Sequence, residues 1–136
     1  MQFCLDTNTC VDALRGRHRA MVERFGRYVP QDFSVPAIVR AELLLGALRS
    51  RDPLRTREAV EAFLAPYELL PFDRNAAGHY AEVRHDLEIR GLPIGPNDLV
   101  IAATARSRNL TLITHNTGEF GRVRGLAIED WTPAAT

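Results

Sequence analysis

The amino-acid sequence has no lysine, only two cysteines and no excess of either charge. All 17 basic residues are therefore arginines, and 17 Asp and Glu residues balance them. Attraction of nucleic acid by bulk charge alone is excluded, so any phosphate binding must rest on a local arginine patch. Cys4 and Cys10 fit neither a CxxC pair nor a zinc site, and two unmatched thiols suit a reducing compartment. We therefore expect a cytoplasmic protein.

A long apolar run is also absent from the sequence. No segment approaches the ~20 apolar residues that a membrane-spanning helix needs. The first residues, MQFCLDTN, lack the basic and apolar regions of a signal peptide. The 136 residues, 46% hydrophobic and 25% charged, are typical of one globular domain. The sequence predicts a single domain over residues 1–136 that makes no contact with a membrane.

Strand-like and helix-like apolar segments alternate along the chain. The strand-like segments are short and mostly apolar, and they cover residues 3–5, 33–35, 68–71, 110–113 and 127–129. The helix-like segments have apolar residues at helical spacing, and they cover residues 9–15, 18–28, 36–50, 54–65, 75–90 and 99–106. Residues 115–121 are predicted to form a loop. The alternation predicts a three-layer α/β domain with a mostly parallel central sheet flanked by helices.

Asp6 follows the first predicted strand directly and precedes Thr7 and Asn8. In parallel sheets, ligands bind outside the carboxyl ends of the strands, at a topological switch point. Asp6 and the loop that begins at His115 both come just after strands, so both are candidates for a site. The alternative for Asp6 is a helix N-cap, a position that Asp, Thr and Asn all favour.

Glu42 lies in a predicted helix, residues 36–50, that is apolar almost all round and is therefore expected to be largely buried. An unpaired buried carboxylate is very costly, so Glu42 needs a metal ion, an arginine or solvent as a partner. Arg40 is two positions away and does not face Glu42 on a helix. The alternative is an exposed position or an ion pair with a distant arginine.

Asp98 and the segment after the fourth strand supply further candidates. Asp98 follows a rigid segment that contains Pro93 and Pro96, and either Asn97 or Asp98 is predicted to begin the next helix. The alternative role for Asp98 is that of an acid in the first helical turn, where the helix dipole stabilises a negative charge. After Thr114, Asn116 offers a carbonyl ligand and Glu119 a further carboxylate. The alternatives are a loop Asn in a left-handed turn and a solvated Glu. His115 is expected to be a surface residue.

Several converging carboxylates make chemical sense with a cation, because clustered acids repel one another unless a metal ion or a proton lies between them. Hard oxygen ligands suit Mg²⁺ or Mn²⁺, and Mg²⁺ keeps several waters and needs few protein carboxylates. One or two such ions can activate a water molecule to attack phosphorus. The sequence offers no convincing His, Cys or Ser nucleophile.

Four segments, residues 5–8, 41–46, 95–103 and 112–120, resemble the motifs of PIN-domain ribonucleases in the same order. Residues 123–131 are similar to the end of the VapC toxin family of toxin–antitoxin systems. The resemblance implies metal-dependent cleavage of RNA, with tRNA a frequent substrate. It also implies an antitoxin on a separate chain and a homodimer.

The resemblance also assigns roles to residues of the site. It implies that Asp6, Glu42 and Asp98 hold the metal ion. Asn116 occupies a position where many PIN domains have Asp, and either Asn116 or Glu119 completes the catalytic site. Residues with a supporting role would be Glu119, Thr114 and Asn8. Candidate arginines for RNA binding form two groups, Arg15, Arg17 and Arg19, and Arg49, Arg51, Arg55 and Arg57.

Two other functions compete with a nuclease. The run from Asp6 to Thr9 comes close to the D-x-D-x-T motif of haloacid-dehalogenase-type phosphatases, but position 8 is Asn and the required downstream Lys is missing. A non-catalytic PIN interaction module would be expected to lose one or more of the three acids. Asp6, Glu42 and Asp98 are all present, which favours the enzyme.

Overall fold

The computed structural model describes residues 1–133. Five strands form one sheet: β1 (Phe3–Leu5), β2 (Phe33–Pro36), β3 (Glu68–Leu70), β4 (Thr111–Ile113) and β5 (Ile128–Glu129). Seven α-helices are described: α1 (Thr7–Leu14), α2 (Arg19–Phe25), α3 (Ala37–Leu48), α4 (Pro53–Leu64), α5 (Arg74–Arg90), α6 (Pro96–Ser107) and α7 (Thr117–Phe120). None of these helices is long and apolar enough to cross a membrane.

The strand order is β3-β2-β1-β4-β5, and every pairing among the described strands is parallel. The chain runs outward from β1 to β3 and then crosses back to begin β4 on the other side of β1. The switch point of the sheet therefore lies between β1 and β4, where ligands of such sheets bind. Parallel crossovers of one hand place helices on both faces, which confirms the predicted three-layer α/β fold.

Short strands suffice here because they are buried on both faces. Phe3, Cys4 and Leu5 in β1 are all buried. The Phe3 ring packs against the rings of Phe33 and Trp131 at centroid distances of 5.6 and 5.0 Å. Trp131 follows β5, so this aromatic cluster fixes the last described segment to the centre of the sheet.

Three details of the predicted elements are wrong. Helix α1 begins at Thr7 rather than at residue 9, because Asp6 caps it. Residues 117–120 form the short helix α7 within the predicted loop. Helix α3 is not largely buried: only Val39, Leu43 and Ala47 are, while Leu45 and Leu48 are 44% and 70% exposed. Its apolar sequence is explained by an uncovered face and not by burial all round.

Candidate active site

Asp6 lies at the carboxyl end of the central strand and is 4% exposed. Its Oδ1 accepts a hydrogen bond from the Thr9 backbone N–H at 2.8 Å, which makes Asp6 the N-cap of α1. Its Oδ2 accepts a hydrogen bond from Thr114 Oγ1 at 2.5 Å. Each carboxylate oxygen has a second lone pair. Capping and a role in the site are therefore compatible for Asp6.

Opposing effects set the pKa of Asp6. Burial raises the pKa, hydrogen bonds from Thr114 and Thr9 lower it, and the charge of Asp12 raises it. Burial dominates, so the pKa lies above its ordinary value. The two threonines thus partly offset the cost of placing a carboxylate at the end of a buried strand.

Thr114 connects Asp6 with the segment that carries Asn116 and Glu119. Strands β1 and β4 pair with Leu5 opposite Ile113, so the next residues, Asp6 and Thr114, lie side by side. Thr114 Oγ1 also accepts a hydrogen bond from the Asn116 backbone N–H at 3.0 Å. Asn116 Nδ2 in turn donates to Glu119 Oε2 at 3.1 Å. Asn116 therefore orients Glu119.

Glu42 is half-buried on α3 and points toward the first turn of α1. Its Oε1 accepts a hydrogen bond from Thr7 Oγ1 at 2.7 Å. The expected partner was a metal ion, an arginine or solvent, and a threonine hydroxyl was not among the expected partners. Arg40 does not face Glu42, as predicted, but forms an ion pair with Glu61 at 2.6 Å.

Asp98 lies in the first turn of α6, whose N-cap is Gly95. The prediction that Asn97 or Asp98 opens this helix is wrong, because the helix begins one residue earlier, at Pro96. Proline is favoured there, since the first helical N–H has no partner within the helix. Asp98 thus sits where the helix dipole favours a negative charge, but it is not the cap.

The pKa of Asp98 shows that the four acids form one electrostatic group. Burial raises it most, followed by the hydrogen bond to Glu119 and the Glu119 charge; the charges of Asp6 and Glu42 raise it further, to about 6. Hydrogen bonds link Asp6, Thr114, Asn116 and Glu119, and the effects of charge on Asp98 show that Glu119, Asp6 and Glu42 lie near it. That these residues form the catalytic site stays a prediction.

Within residues 1–133, no three or more His, Cys, Asp or Glu side chains form a ready-made metal-ligand cluster. The acids are held instead by their own donors: Asp6 by Thr9 and Thr114, and Glu42 by Thr7. Their chemistry nevertheless fits a hard cation, because all four are oxygen donors and the raised pKa of Asp98 records a repulsion that a cation would relieve. Mg²⁺ needs few protein ligands, since it keeps several waters.

Two of the sequence candidates lie outside this hydrogen-bonded group. Asn8 is exposed on α1, and its side chain makes no hydrogen bond within residues 1–133. His115 is exposed as predicted, but its Nδ1 lies 3.0 Å from Asp130 Oδ2 and 2.9 Å from Thr132 Oγ1. Thr7 and Thr9 were missed; the signal for both was their place directly after Asp6.

Carboxylates at the switch point of a parallel sheet lie where ligands of such folds bind, and a divalent ion held there could promote attack on a phosphate ester. Residues 3–126 match the model of the PIN domain. The chain is 38% identical to the "tRNA(fMet)-specific endonuclease VapC" of Salmonella typhimurium, over 96% of this chain and 98% of that protein. It is 34% identical to "Ribonuclease VapC2" of Rickettsia felis, over 96% of this chain and 98% of that protein.

Solved structures give the same result. A chain of the DNA-bound VapBC complex of Salmonella typhimurium is similar to this protein with a TM-score of 0.91 and 38% identity, over 96% of this chain and 98% of that chain. A chain of the VapBC2 complex of Rickettsia felis is similar with a TM-score of 0.88 and 32% identity, over 96% of this chain and 99% of that chain. The chain belongs to the PIN-domain family, in its branch of VapC ribonuclease toxins. This assignment contradicts the phosphatase alternative.

Proposed function

We propose that this chain is a Mg²⁺- or Mn²⁺-dependent endoribonuclease whose metal site is formed by Asp6, Glu42 and Asp98. The observation that carries the proposal is that acids from separate segments lie close enough to affect one another beyond the end of β1: burial raises the pKa of Asp98 most, and repulsion by Glu119, Asp6 and Glu42 raises it further, to about 6. A fold needs no such repulsion for stability, and proteins commonly accept it at functional sites. The non-catalytic alternative leaves the repulsion without an explanation.

Each residue of the site has a separate task in this proposal. Bound metal would lower the pKa of a water molecule and neutralise charge on the phosphate. The backbone of Thr9 and the hydroxyl of Thr114 fix both oxygens of Asp6, so Asp6 keeps one orientation. Thr7 does the same for Glu42. Asn116 holds Glu119 against Asp98, where the two carboxyl groups can share one proton.

The substrate is RNA, and tRNA is the first candidate to test, because two of the relatives are named as tRNA(fMet)-specific endonucleases. The partner is an antitoxin on a separate chain, since the similar structures are toxin–antitoxin complexes. An unchecked ribonuclease would poison its host. We therefore expect a basic side chain of the antitoxin to reach the carboxylate group.

The family resemblance also supports a homodimer in the cytoplasm, which size-exclusion chromatography and cell fractionation would test. The described residues share one hydrophobic core, which supports the proposal of a single domain.

RNA cleavage by three variants tests the assignment of the site. Asp6→Asn, Glu42→Gln and Asp98→Asn should each lower cleavage of total tRNA by orders of magnitude and keep the helical circular-dichroism spectrum. Glu68→Gln removes the same charge from an exposed position at the start of β3 and should cleave like the wild type. Chelation should abolish cleavage, and added Mg²⁺ or Mn²⁺ should restore it. Full cleavage in excess chelator would refute the metal mechanism.

Sequencing of RNA ends after induced expression, with the wild type compared against Asp6→Asn, identifies the substrate and the cleavage position. Co-expression with the adjacent encoded protein tests the partner. If growth arrest by this chain is not relieved by any encoded neighbour, its place in a toxin–antitoxin pair is wrong, although nuclease activity can persist.

A further inference from the structure

Helices α1, α3 and α4 enclose a groove of about 230 Å³ that begins at the candidate active site. Thr7 and Glu42 line one end of the groove, and Arg15, Ser50 and Thr56 line the other. The groove therefore connects the carboxylate group with the loop that joins α3 to α4.

Arg15 lines the outer end of this groove, and four more arginines flank the lining residues Ser50 and Thr56 along the chain: Arg49, Arg51, Arg55 and Arg57. We call them the arginine rim. All five are exposed, and none forms an ion pair with a side chain in residues 1–133. By contrast, Arg17 and Arg19 from the other candidate group lie 3.8 and 3.4 Å from acidic side chains. The structure thus moves Arg15 into the second predicted group and leaves Arg17 and Arg19 beside acids.

The local charge of the rim is positive although the chain is neutral overall. Between residues 49 and 58, only Asp52 and Glu58 are acidic. Asp52 is already engaged as the N-cap of α4, where its Oδ1 accepts the Arg55 backbone N–H at 3.2 Å. Exposed arginines without acidic partners make this part of the surface locally positive, so it would attract an anion. Guanidinium groups suit phosphate, which they bind through two hydrogen bonds.

The geometry of α3 places the rim in line with the site. Arg49 is seven residues after Glu42, which returns it to nearly the same face of the helix about 10 Å further along. Gly46 lies between the two, and a Cβ added there would meet no atom within 4 Å. The path between rim and carboxylates is therefore open.

We propose that the arginine rim binds the phosphate backbone of the RNA on one side of the scissile bond, and that the strand runs along the groove past Gly46 to the carboxylates. The proposal rests on the proposed ribonuclease function and specifies where its substrate lies. Leu48 and Leu54, 70% and 69% exposed, lie beside the rim and would suit a protein partner instead.

Binding of a short labelled single-stranded RNA tests the proposal, measured by fluorescence anisotropy over a range of salt concentrations. The full chain carries Asp98→Asn and is kept in chelator, so that no cleavage occurs. The fourfold variant Arg49→Gln, Arg51→Gln, Arg55→Gln and Arg57→Gln should bind at least tenfold more weakly. Its slope of log affinity against log salt should become shallower by about 0.7 for each phosphate group that the variant no longer binds.

The control is the fourfold variant Arg19→Gln, Arg27→Gln, Arg74→Gln and Arg124→Gln, which removes the same charge from exposed positions elsewhere. It should keep the wild-type slope. A second pair of variants tests whether the RNA strand passes Gly46. Gly46→Glu should weaken RNA binding by charge repulsion, whereas Gly78→Glu, at an equally open position on α5, should not. Unchanged binding and slope in the rim variant would overturn the proposal.

A protein partner at this surface would give a different result. In that case Leu48→Gln with Leu54→Gln would release the co-expressed antitoxin, and the rim variant would bind RNA like the wild type; this pair of results would overturn the RNA assignment. Failure of the ribonuclease function is separate, because the wild type would then cleave no RNA in Mg²⁺. If the wild type cleaves RNA and the rim variant still binds RNA like the wild type, the proposal for the rim is wrong and the ribonuclease function stands.

Discussion

Thr114 Oγ1 donates a hydrogen bond of 2.5 Å to Asp6 Oδ2, although 108 residues separate the two along the chain. The parallel pairing of β1 with β4 places both residues just beyond the carboxyl edge of the sheet. The same hydroxyl accepts the Asn116 backbone N–H. One buried threonine therefore joins the carboxylate at the end of the central strand to the loop that carries the rest of the site.

Replacing Thr114 with Val tests this junction. The change keeps the shape of the side chain but removes the donor to Asp6 and the acceptor for Asn116, both in a buried site. We expect a loss of stability of about 1–3 kcal/mol and a further rise in the pKa of Asp6, because the Thr114 hydrogen bond lowers it. Cleavage should fall as well, since Asp6 loses its fixed orientation.

The control for Thr114→Val is Thr111→Val, in the strand that Thr114 follows; the Thr111 side chain makes no hydrogen bond within residues 1–133. Urea unfolding and tRNA cleavage are measured for both. Equal behaviour of the two variants would show that the bond between Thr114 and Asp6 has no role in the site.

The raised pKa of Asp98 predicts how stability depends on pH without metal. Between its ordinary value of 3.8 and about 6, the folded protein holds a proton at Asp98 that the unfolded chain has lost. The stabilisation from this proton is complete below about pH 3.8 and is lost as the pH rises through about 6. Part of the side chain is accessible to solvent, so screening will reduce the size of the effect.

Melting temperatures of the wild type and Asp98→Asn, in chelator and in Mg²⁺, measure this dependence. In chelator at neutral pH, Asp98→Asn should melt higher than the wild type, because one of the repelling charges is gone. Mg²⁺ at a hundredfold excess over Kd should stabilise the folded wild type by about 2.7 kcal/mol. It should therefore raise the melting temperature of the wild type more than that of the variant. A variant that melts lower in chelator, with equal shifts in Mg²⁺, would make Asp98 a purely structural acid of the first helical turn.

The hydrogen bond between Asn116 and Glu119 predicts which of the two acts directly. Asn116 Nδ2 holds Glu119, and Glu119 raises the pKa of Asp98. Glu119→Gln should therefore lower cleavage more than Asn116→Ala, and the double variant should be no worse than Glu119→Gln alone. The measurement is a double-mutant cycle: cleavage rates of the wild type, both single variants and the double variant are compared over a range of Mn²⁺ concentrations. Additive losses would mean that Asn116 acts independently of Glu119.

Arg122 is predicted to position the two segments that carry Asp98 and Glu119. Its Nη1 donates to the Pro93 carbonyl at 3.0 Å, in the lead-in to α6, and its own carbonyl accepts from Arg90. Its backbone N–H donates to the Glu119 carbonyl at 3.1 Å, at the end of α7. Losing the side chain should loosen the approach of α6 to α7.

Arg122→Gln should lower the affinity for Mn²⁺, measured directly by electron paramagnetic resonance, and should also slow cleavage. Stability should fall by no more than about 1 kcal/mol, because this hydrogen bond is exposed. Arg124→Gln removes a nearby exposed charge and should change neither quantity. If both variants bind Mn²⁺ like the wild type, Arg122 has no positioning role.

The sequence by itself determined the order of strands and helices and the identity of the acids. Apolar runs such as Phe3 to Leu5 are interpretable because a strand buried on both faces needs continuous apolar residues. Asp6 was recognisable because it directly follows such a strand. Glu42 was recognisable as an acid in an apolar helix, although the predicted burial of that helix was wrong: α3 has an uncovered face, and local periodicity does not reveal which side a neighbouring helix covers.

Only the tertiary structure decided the partners of these acids. The hydroxyl of Thr7 on Glu42 and that of Thr114 on Asp6 join residues 35 and 108 positions apart. Such contacts depend on strand register and helix packing, which sequence spacing does not specify. The same holds for Arg40, whose ion pair with Glu61 joins α3 and α4 across 21 positions of the chain. Residue types fix the available chemistry, and the packing of distant segments fixes which groups meet.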